Sequence, residues 1–268
     1  MSYPPENYPL TPAGVDDYPV KAGSMLLTLV DPHKGFEAAY NRWYERDHFY
    51  AGCLVGPWLF AGRRFVATRA LKALRFGAAP DLFGGVHLGS YLALYWVLDG
   101  HHDDHFEWAL RQVQMLHERG RMFAARDHVH TLLYRHAWTA RRDPDGVPVE
   151  LALDHPYGGL TATVVELAPG VQPGELGAWV QACCAPELEA GFLPIPLPEG
   201  APVTQRGMEH LDRRVLNLSF TTASPDTWWD EQHAAATQLE RDGIGRMLWT
   251  APFIPTIPGT DAFTDELW

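Results

Sequence analysis

Tyr91-Leu92-Ala93-Leu94-Tyr95-Trp96-Val97-Leu98 is an eight-residue run without a charge. Side chains of a β-strand alternate between two faces, and a strand with one wet face alternates apolar with polar. Here both faces are apolar, so the run reads as a central strand covered on both sides. Ahead of it lie a strand over Ser24–Val30, a helix over Gly35–Gly52 and a strand over Trp58–Ala67. Leu71–Gly85 is broken by Gly and Pro and reads as a loop with a helical turn. After it come a helix capped by Asp103 or Asp104, running to about Phe123, and a strand over His128–Trp138. The order is β-α-β-β-α-β, the ferredoxin-like split βαβ motif. Its helices cover one sheet face, and the other face needs a cover of its own.

The second half repeats that order. Leu160–Leu167 and Arg214–Thr222 read as strands, Pro173–Ala190 and Pro225–Asp242 as helices, the latter capped by Ser224, and Met247–Ile254 as the last strand. A Pro-rich excursion over Pro194–Arg206 has room for the remaining strand. The fold class is therefore α+β, with two tandem ferredoxin-like units closing sheet against sheet in one intrachain barrel. The expected division is an irregular arm (1–23), the first unit (24–139), a connector (140–159), the second unit (160–254) and a docking tail (255–268). The space between the two sheets is the expected ligand cavity.

Composition narrows the function. The chain has 268 residues, is 46% hydrophobic and carries a formal charge of -12. That charge disfavours nucleic acid, whose phosphates call for clustered Lys and Arg. The one basic stretch, Arg63 to Arg75, reads as a solvated helix face or loop, with an anionic-substrate entrance as the minority reading. Cys53, Cys183 and Cys184 form neither a disulfide framework nor a zinc spacing, and reduced thiols fit a cytoplasmic protein. The N-terminus has no basic and apolar leader pattern, and no apolar run is long enough to span a bilayer, so no membrane partner is expected.

The chemistry concentrates in Tyr40-Asn41-Arg42-Trp43-Tyr44-Glu45-Arg46-Asp47-His48. At 3.6 residues per turn Asn41, Tyr44 and His48 share one stripe, beside Phe36, Tyr40, Trp43 and Asp47. Such a stripe suits either a pocket wall with His48 as acid/base or a helix end with part-buried polar rings. These residues, with Leu26–Val30 before them and Gly62-Arg63-Arg64-Phe65 after them, resemble the dimeric α+β barrel superfamily, and within it the EthD-like proteins. Tyr44 to His48 matches that family's Tyr/Trp-x-x-x-His pattern, and the match covers about residues 24–138. The equivalent second helix, with Cys183, Cys184 and Pro186, has no His, so one principal site is expected, in the first half. The resemblance implies the fold and a range of chemistries: cofactor-free monooxygenases, polyketide cyclases, lactone isomerases and haem enzymes.

The other histidines read by their spacing. His101, His102 and His105, with Asp103 and Asp104, sit where a strand meets a helix, and solvated caps account for them better than a metal. Arg126, His128, His130, Tyr134 and His136 alternate on one strand, facing either the cavity or solvent. Any of these, or His117, is an option for a haem ligand. The favoured reading is a cofactor-independent acid/base enzyme, a lyase, isomerase or cyclase, acting on a small hydrophobic or aromatic molecule. His48 would move the proton, Tyr44 and Asn41 would hold the oxyanion, and Trp43, Tyr95, His130 and Tyr134 would grip the substrate. The alternatives are a haem-dependent or cofactor-free oxygenase of the same fold, and a non-catalytic small-molecule-binding protein. No metal is expected, and a homodimer is left open.

Overall fold

The computed structural model describes residues 20–79, 81–184, 186–196 and 210–268. Most of the expected N-terminal arm, and most of the Pro194–Arg206 excursion, lie outside the described residues. The first unit comprises β1 (Ala22–Pro32), α1 (Glu37–Trp43), β2 (Leu59–Val66), α2 (Arg69–Leu74), β3 (Tyr91–Leu98), α3 (His102–Glu118) and β4 (Arg126–Ala140). The second comprises β5 (Gly159–Leu167), α4 (Pro173–Cys183), β6 (Leu188–Ile195), β7 (Arg214–Thr221), α5 (Trp229–Arg241) and β8 (Gly245–Pro255). All strands pair antiparallel, and the order β1-β3-β2-β8-β5-β7-β6-β4 closes a barrel. Among the described residues no helix is long and apolar enough to cross a membrane.

The barrel interior is a packed core, not the ligand cavity expected between the sheets. Eight strands enclose a space that their own side chains just fill. Met25, Leu27 and Leu29 from β1 and Leu92, Leu94 and Trp96 from β3 meet Phe192, Phe220 and Phe253 from the other unit. Trp96 stacks on Phe192 with ring centroids 5.5 Å apart, and its indole donates to the Val149 carbonyl at 2.9 Å. The opposite face of β3 carries Tyr91, Ala93, Tyr95 and Val97 into a second cluster beneath the helices.

Several local expectations change. α4 stops at Cys183, and Leu188–Ile195 is a strand instead of the end of that helix. Pro186 falls between them; it lacks a donor and cannot continue the helical ladder. α3 starts on His101 with no side-chain cap, since Asp104 is bonded to His101 Nδ1 at 2.9 Å. The basic stretch is not solvated: Arg64, Lys72 and Arg75 are all buried. Arg75 donates to the carbonyls of Val86, Leu88 and Gly89, and Lys72 to Ser90 Oγ at 3.0 Å. Asp31 accepts from the backbone of Gly89 and Ser90 in the same corner. Desolvation lowers Lys72 to about 8 and Arg75 to about 9.

The residues after β8 lie along the first unit. Arg69 N donates to the Glu266 carbonyl at 2.7 Å, Leu267 is fully buried, and the Trp268 indole donates to Glu37 Oε1 at 2.6 Å.

Candidate active-site cavity

The helix after β1 does not stay α-helical. From Tyr44 to Leu54 its hydrogen bonds widen to the π register, i to i+5. The 3.6-residue stripe that grouped Asn41, Tyr44 and His48 therefore fails at its C-terminal end. His48 stacks instead on Trp43, five residues earlier, with centroids 4.6 Å apart and planes 18° from parallel. Gly52 makes this arrangement possible. A Cβ there would stand 2.7 Å from His48 Cε1 and 2.8 Å from Nδ1.

The widened helix, α3 and the outer faces of β1 and β4 enclose a cavity of about 400 Å³. Leu26, Phe106, Leu110, Val113 and Leu133 supply apolar walls, and Thr28, Tyr44, His48, His105, Arg126, His128 and Thr131 supply the polar groups. Small-molecule pockets span roughly 300–1,000 Å³, so the space suits a compact ligand. Tyr44 reaches it through a hydroxyl that contacts Tyr95 Oη at 3.0 Å and Thr28 Oγ1 at 3.4 Å. Desolvation pushes the Tyr44 phenol up to about 12, so it remains a donor at neutral pH. The same cause holds the Cys53 thiol at about 12.

The imidazoles are neutral. Desolvation first, then the charges of Arg126 and His128, lower His48 to about 4, against a smaller opposing pull from Asp47. His105 and His128 are lowered to about 4, again chiefly by desolvation. The bonds of His128 fix its tautomer. Arg126 Nε donates to His128 Nε2 at 3.3 Å, so the proton sits on Nδ1 and points at Thr131 Oγ1, 2.9 Å away. Thr131 accepts there and keeps its own proton to donate. Nδ1 of His48 and Nδ1 of His105 are buried with no hydrogen-bond partner among the described residues. Arg126 also lies over the Trp43 ring, 4.8 Å from its centroid.

Of the expected site residues, Tyr44 and His48 line this cavity. Trp43 backs it through the stack on His48, and Tyr95 lies behind Tyr44 at its hydroxyl. Asn41 is spent elsewhere: its amide donates to the Thr260 carbonyl at 2.9 Å and its Oδ1 accepts from Arg64 at 2.9 Å. His130 and Tyr134 face the barrel interior, where Tyr134 Oη meets His130 Nε2 at 2.7 Å. The common face expected for the β4 histidines is broken by a bulge. Leu29 pairs with His130 but Val30 with His128, so Val129 is an extra residue. One inserted residue reverses the side-chain phase, which turns Arg126 and His128 toward the helices. Sequence reasoning missed Gly52 and Thr131, and nothing in the pattern of β4 marks its bulge. His101, His102 and His105 do not converge: His101 stacks on Trp58 at 3.7 Å, His102 Nδ1 meets Ser24 Oγ at 3.1 Å, and His105 enters the cavity.

No family model and no curated protein matches the chain. Solved structures do, at low identity. An anthrone oxidase-like protein superposes with TM-score 0.53 at 12% identity, over 90% of this chain and 95% of that one. DypB from Rhodococcus jostii RHA1, as a variant in complex with haem, gives TM-score 0.52 at 10% identity, over 92% and 95%. A chlorite dismutase-like protein gives 0.51 at 10% identity, over 91% and 99%. Likeness at this level concerns the backbone path and not the chemistry. Together with the closed eight-strand order, it gives the chain the fold of the dimeric α+β barrel superfamily, with both ferredoxin-like units supplied by one polypeptide.

Proposed function

We propose that the first-unit cavity is the site of cofactor-independent acid/base chemistry on a small hydrophobic or aromatic ketone. The observation that carries this reading is the meeting, on one apolar cavity of about 400 Å³, of the neutral imidazole of His48 with hydroxyl donors on Tyr44 and Thr131. A substrate with an acidic C–H beside its carbonyl, or conjugated with it through an aromatic ring, gives that proton to His48, and the carbonyl oxygen gains the charge. Tyr44 and Thr131 donate to the enolate oxygen, and Arg126 supplies the compensating positive charge. An imidazole held at about 4 is a weak base in the free protein. A bound enolate reverses part of that, because a nearby negative charge favours the imidazolium and offsets Arg126. Return of the proton to another carbon gives an isomerase outcome; attack of the enolate carbon on a second carbonyl of the same molecule, with the proton passed from His48 to the new alkoxide, gives a cyclase outcome. Reaction of the enolate with dioxygen gives the cofactor-free oxygenase of the same scaffold. A homodimer remains an open proposal that this chemistry does not need.

Haem is the competing reading, prompted by the haem-bound relative. The larger hollow under the helices of the second unit fits it poorly, since no imidazole among the described residues lines it. The first cavity has neutral imidazoles, but its volume favours a smaller guest. A visible spectrum of the purified protein separates the two: a Soret band supports haem.

The printed name of the anthrone oxidase-like relative suggests anthrone as the first probe. Protein-dependent exchange of its ring CH₂ protons in D₂O, read by NMR, is the expected result. Exchange at the uncatalysed rate for anthrone and for other enolisable aryl ketones, with binding intact, would leave the non-catalytic binding protein as the better reading.

A further inference from the structure

The second unit carries a polar sheet face where the first carries an apolar one. Thr161 and Thr163 of β5, Asn217 and Ser219 of β7, and Glu189 of β6 all face α4 and α5. Register places Glu189, Ser219 and Thr161 in one row across three strands, with Asn217 and Thr163 side by side in the next. Burying a polar group without a partner is costly, so a sheet face meant only to seat helices is apolar. Here the helices stand away from the sheet and leave a hollow of about 670 Å³.

Its floor is short of donors. Thr161 and Asn217 are 1% and 5% exposed, and the hydroxyl of the first and the side-chain carbonyl of the second have no partner among the described residues. Asn217 commits its amide to Glu189 Oε1 at 2.9 Å, which leaves Oδ1 as an open acceptor. Burial pushes the Glu189 carboxyl up to about 7, so a cation beside it would complete its ionisation. The charged lining side chains are Glu187, Glu189 and Glu231 against Arg142. Two indoles, Trp179 and Trp228, stand in the walls, and Trp228 Nε1 is a buried donor with no acceptor among the described residues.

We propose that this hollow binds a small aromatic primary amine, with its ammonium among Glu189, Asn217 Oδ1 and Thr161 Oγ1. Three N–H donors match three acceptors on the floor. The aromatic body lies against Trp179 and Trp228, which favour a ring and a nearby cation. An oxygen on the far end of the ring gives Trp228 Nε1 its acceptor. The first cavity is opposite in sign, with Arg126 as its only Lys, Arg, Asp or Glu among the described residues, so the two hollows select different molecules. This site stands independently of the reaction proposed for the first.

The test is calorimetric titration of the full chain with three molecules of one skeleton: tyramine, 4-hydroxyphenylethanol and 4-hydroxyphenylacetate. Tyramine is expected to bind one per chain, the alcohol at least about tenfold more weakly, since it lacks the charge that strengthens a hydrogen bond to a carboxylate, and the acid not at all. Glu189→Gln should weaken tyramine by a similar factor. Thr161→Val, which keeps the side-chain shape, should weaken it severalfold and serves if the first variant does not fold. Leu110→Trp, which fills the other cavity, should leave tyramine binding unchanged. Equal binding of amine and alcohol, no binding of tyramine, or an affinity unmoved by Glu189→Gln and Thr161→Val, overturns the proposal.

Discussion

His48 rests on Trp43 across a five-residue interval, a contact that only the widened helix allows. The stack separates the two roles of the ring. His48→Phe keeps an aromatic plate on Trp43 and removes both nitrogens, so its melting temperature should stay near wild type. Turnover of an enolisable ketone should fall by about 10²–10⁴, the usual worth of a positioned acid/base group. Steady-state kinetics beside a thermal melt checks both halves. A variant that keeps its turnover removes His48 from the chemistry.

Gly52→Ala should act against the usual rule. Replacing a helical glycine by alanine normally stabilises by about 0.5–1 kcal/mol. Here the new methyl would meet the His48 ring at 2.7 Å. The ring must leave Trp43, so the variant is expected to lose turnover and to gain no stability. The stack on the indole is expected to shift the His48 ring resonances upfield in the wild type, and in the variant they should move toward random-coil positions.

Acid should unfold the protein early. His48, His105, His128 and His130 are all lowered to about 4, chiefly by desolvation. Between their unfolded value near 6.5 and about 4 the unfolded chain binds more protons than the native one. Stability therefore falls as pH drops through that window, by up to about 1.4 kcal/mol per pH unit for each imidazole. Glu189 opposes this with a single proton, because its raised pKa makes the native state the better proton binder between about 4.5 and 7. Urea melts at pH 7, 6, 5 and 4.5 should show a falling midpoint, and a flat profile would mean that these rings are solvated.

Arg75→Leu should cost more than about 2 kcal/mol. The guanidinium satisfies the carbonyls of Val86, Leu88 and Gly89, and buried acceptors left without donors cost about 1–3 kcal/mol each. Denaturant melts of this variant beside Arg69→Leu, whose side chain is exposed, give the comparison. Equal midpoints would return the basic stretch to the surface.

The strand order was legible because it rests on alternation and length. Tyr91–Leu98 declared two dry faces, and β1, β2, β5, β7 and β8 followed from short apolar runs between turn signals. What stayed hidden depends on one residue or on tertiary partners. The π register is set by how Trp43, His48 and Gly52 fit together, and no periodicity records it. The extra residue at Val129 sent His128 and His130 to opposite faces, though both fit a period of two. Arg75 and Lys72 looked wet because their charges are visible in the sequence, whereas the carbonyls and the Ser90 hydroxyl that receive them belong to a loop some fifteen residues on. Tyr44 and His48 were within reach because they are near neighbours on one helix. Thr131 was not, since its role follows from the His128 tautomer.

The two junctions between the units are unequal in length. β4 and β6 are joined by seven residue pairs, whereas β2 and β8 share only Phe65 with Pro255 and Val66 with Ile254. Thr256 adds a bond from its amide to the Arg64 carbonyl at 3.1 Å just past that short junction. A book held this way has a spine along β4–β6 and a clasp at β2–β8. Phe76 also exchanges backbone bonds with Thr250, and Ala78 and Ala79 donate to the carbonyls of Met247 and Leu248, so the clasp parts only when these bonds are released as well. The amides of Val66 and Thr256 are expected to exchange with deuterium before those of the spine. An opened clasp bares two strand edges that fit each other, and the matching edges of a second open chain fit them equally well. Concentrated protein held near its melting temperature therefore has a route to reciprocal exchange of whole units between chains, through strand pairings that it already uses when alone.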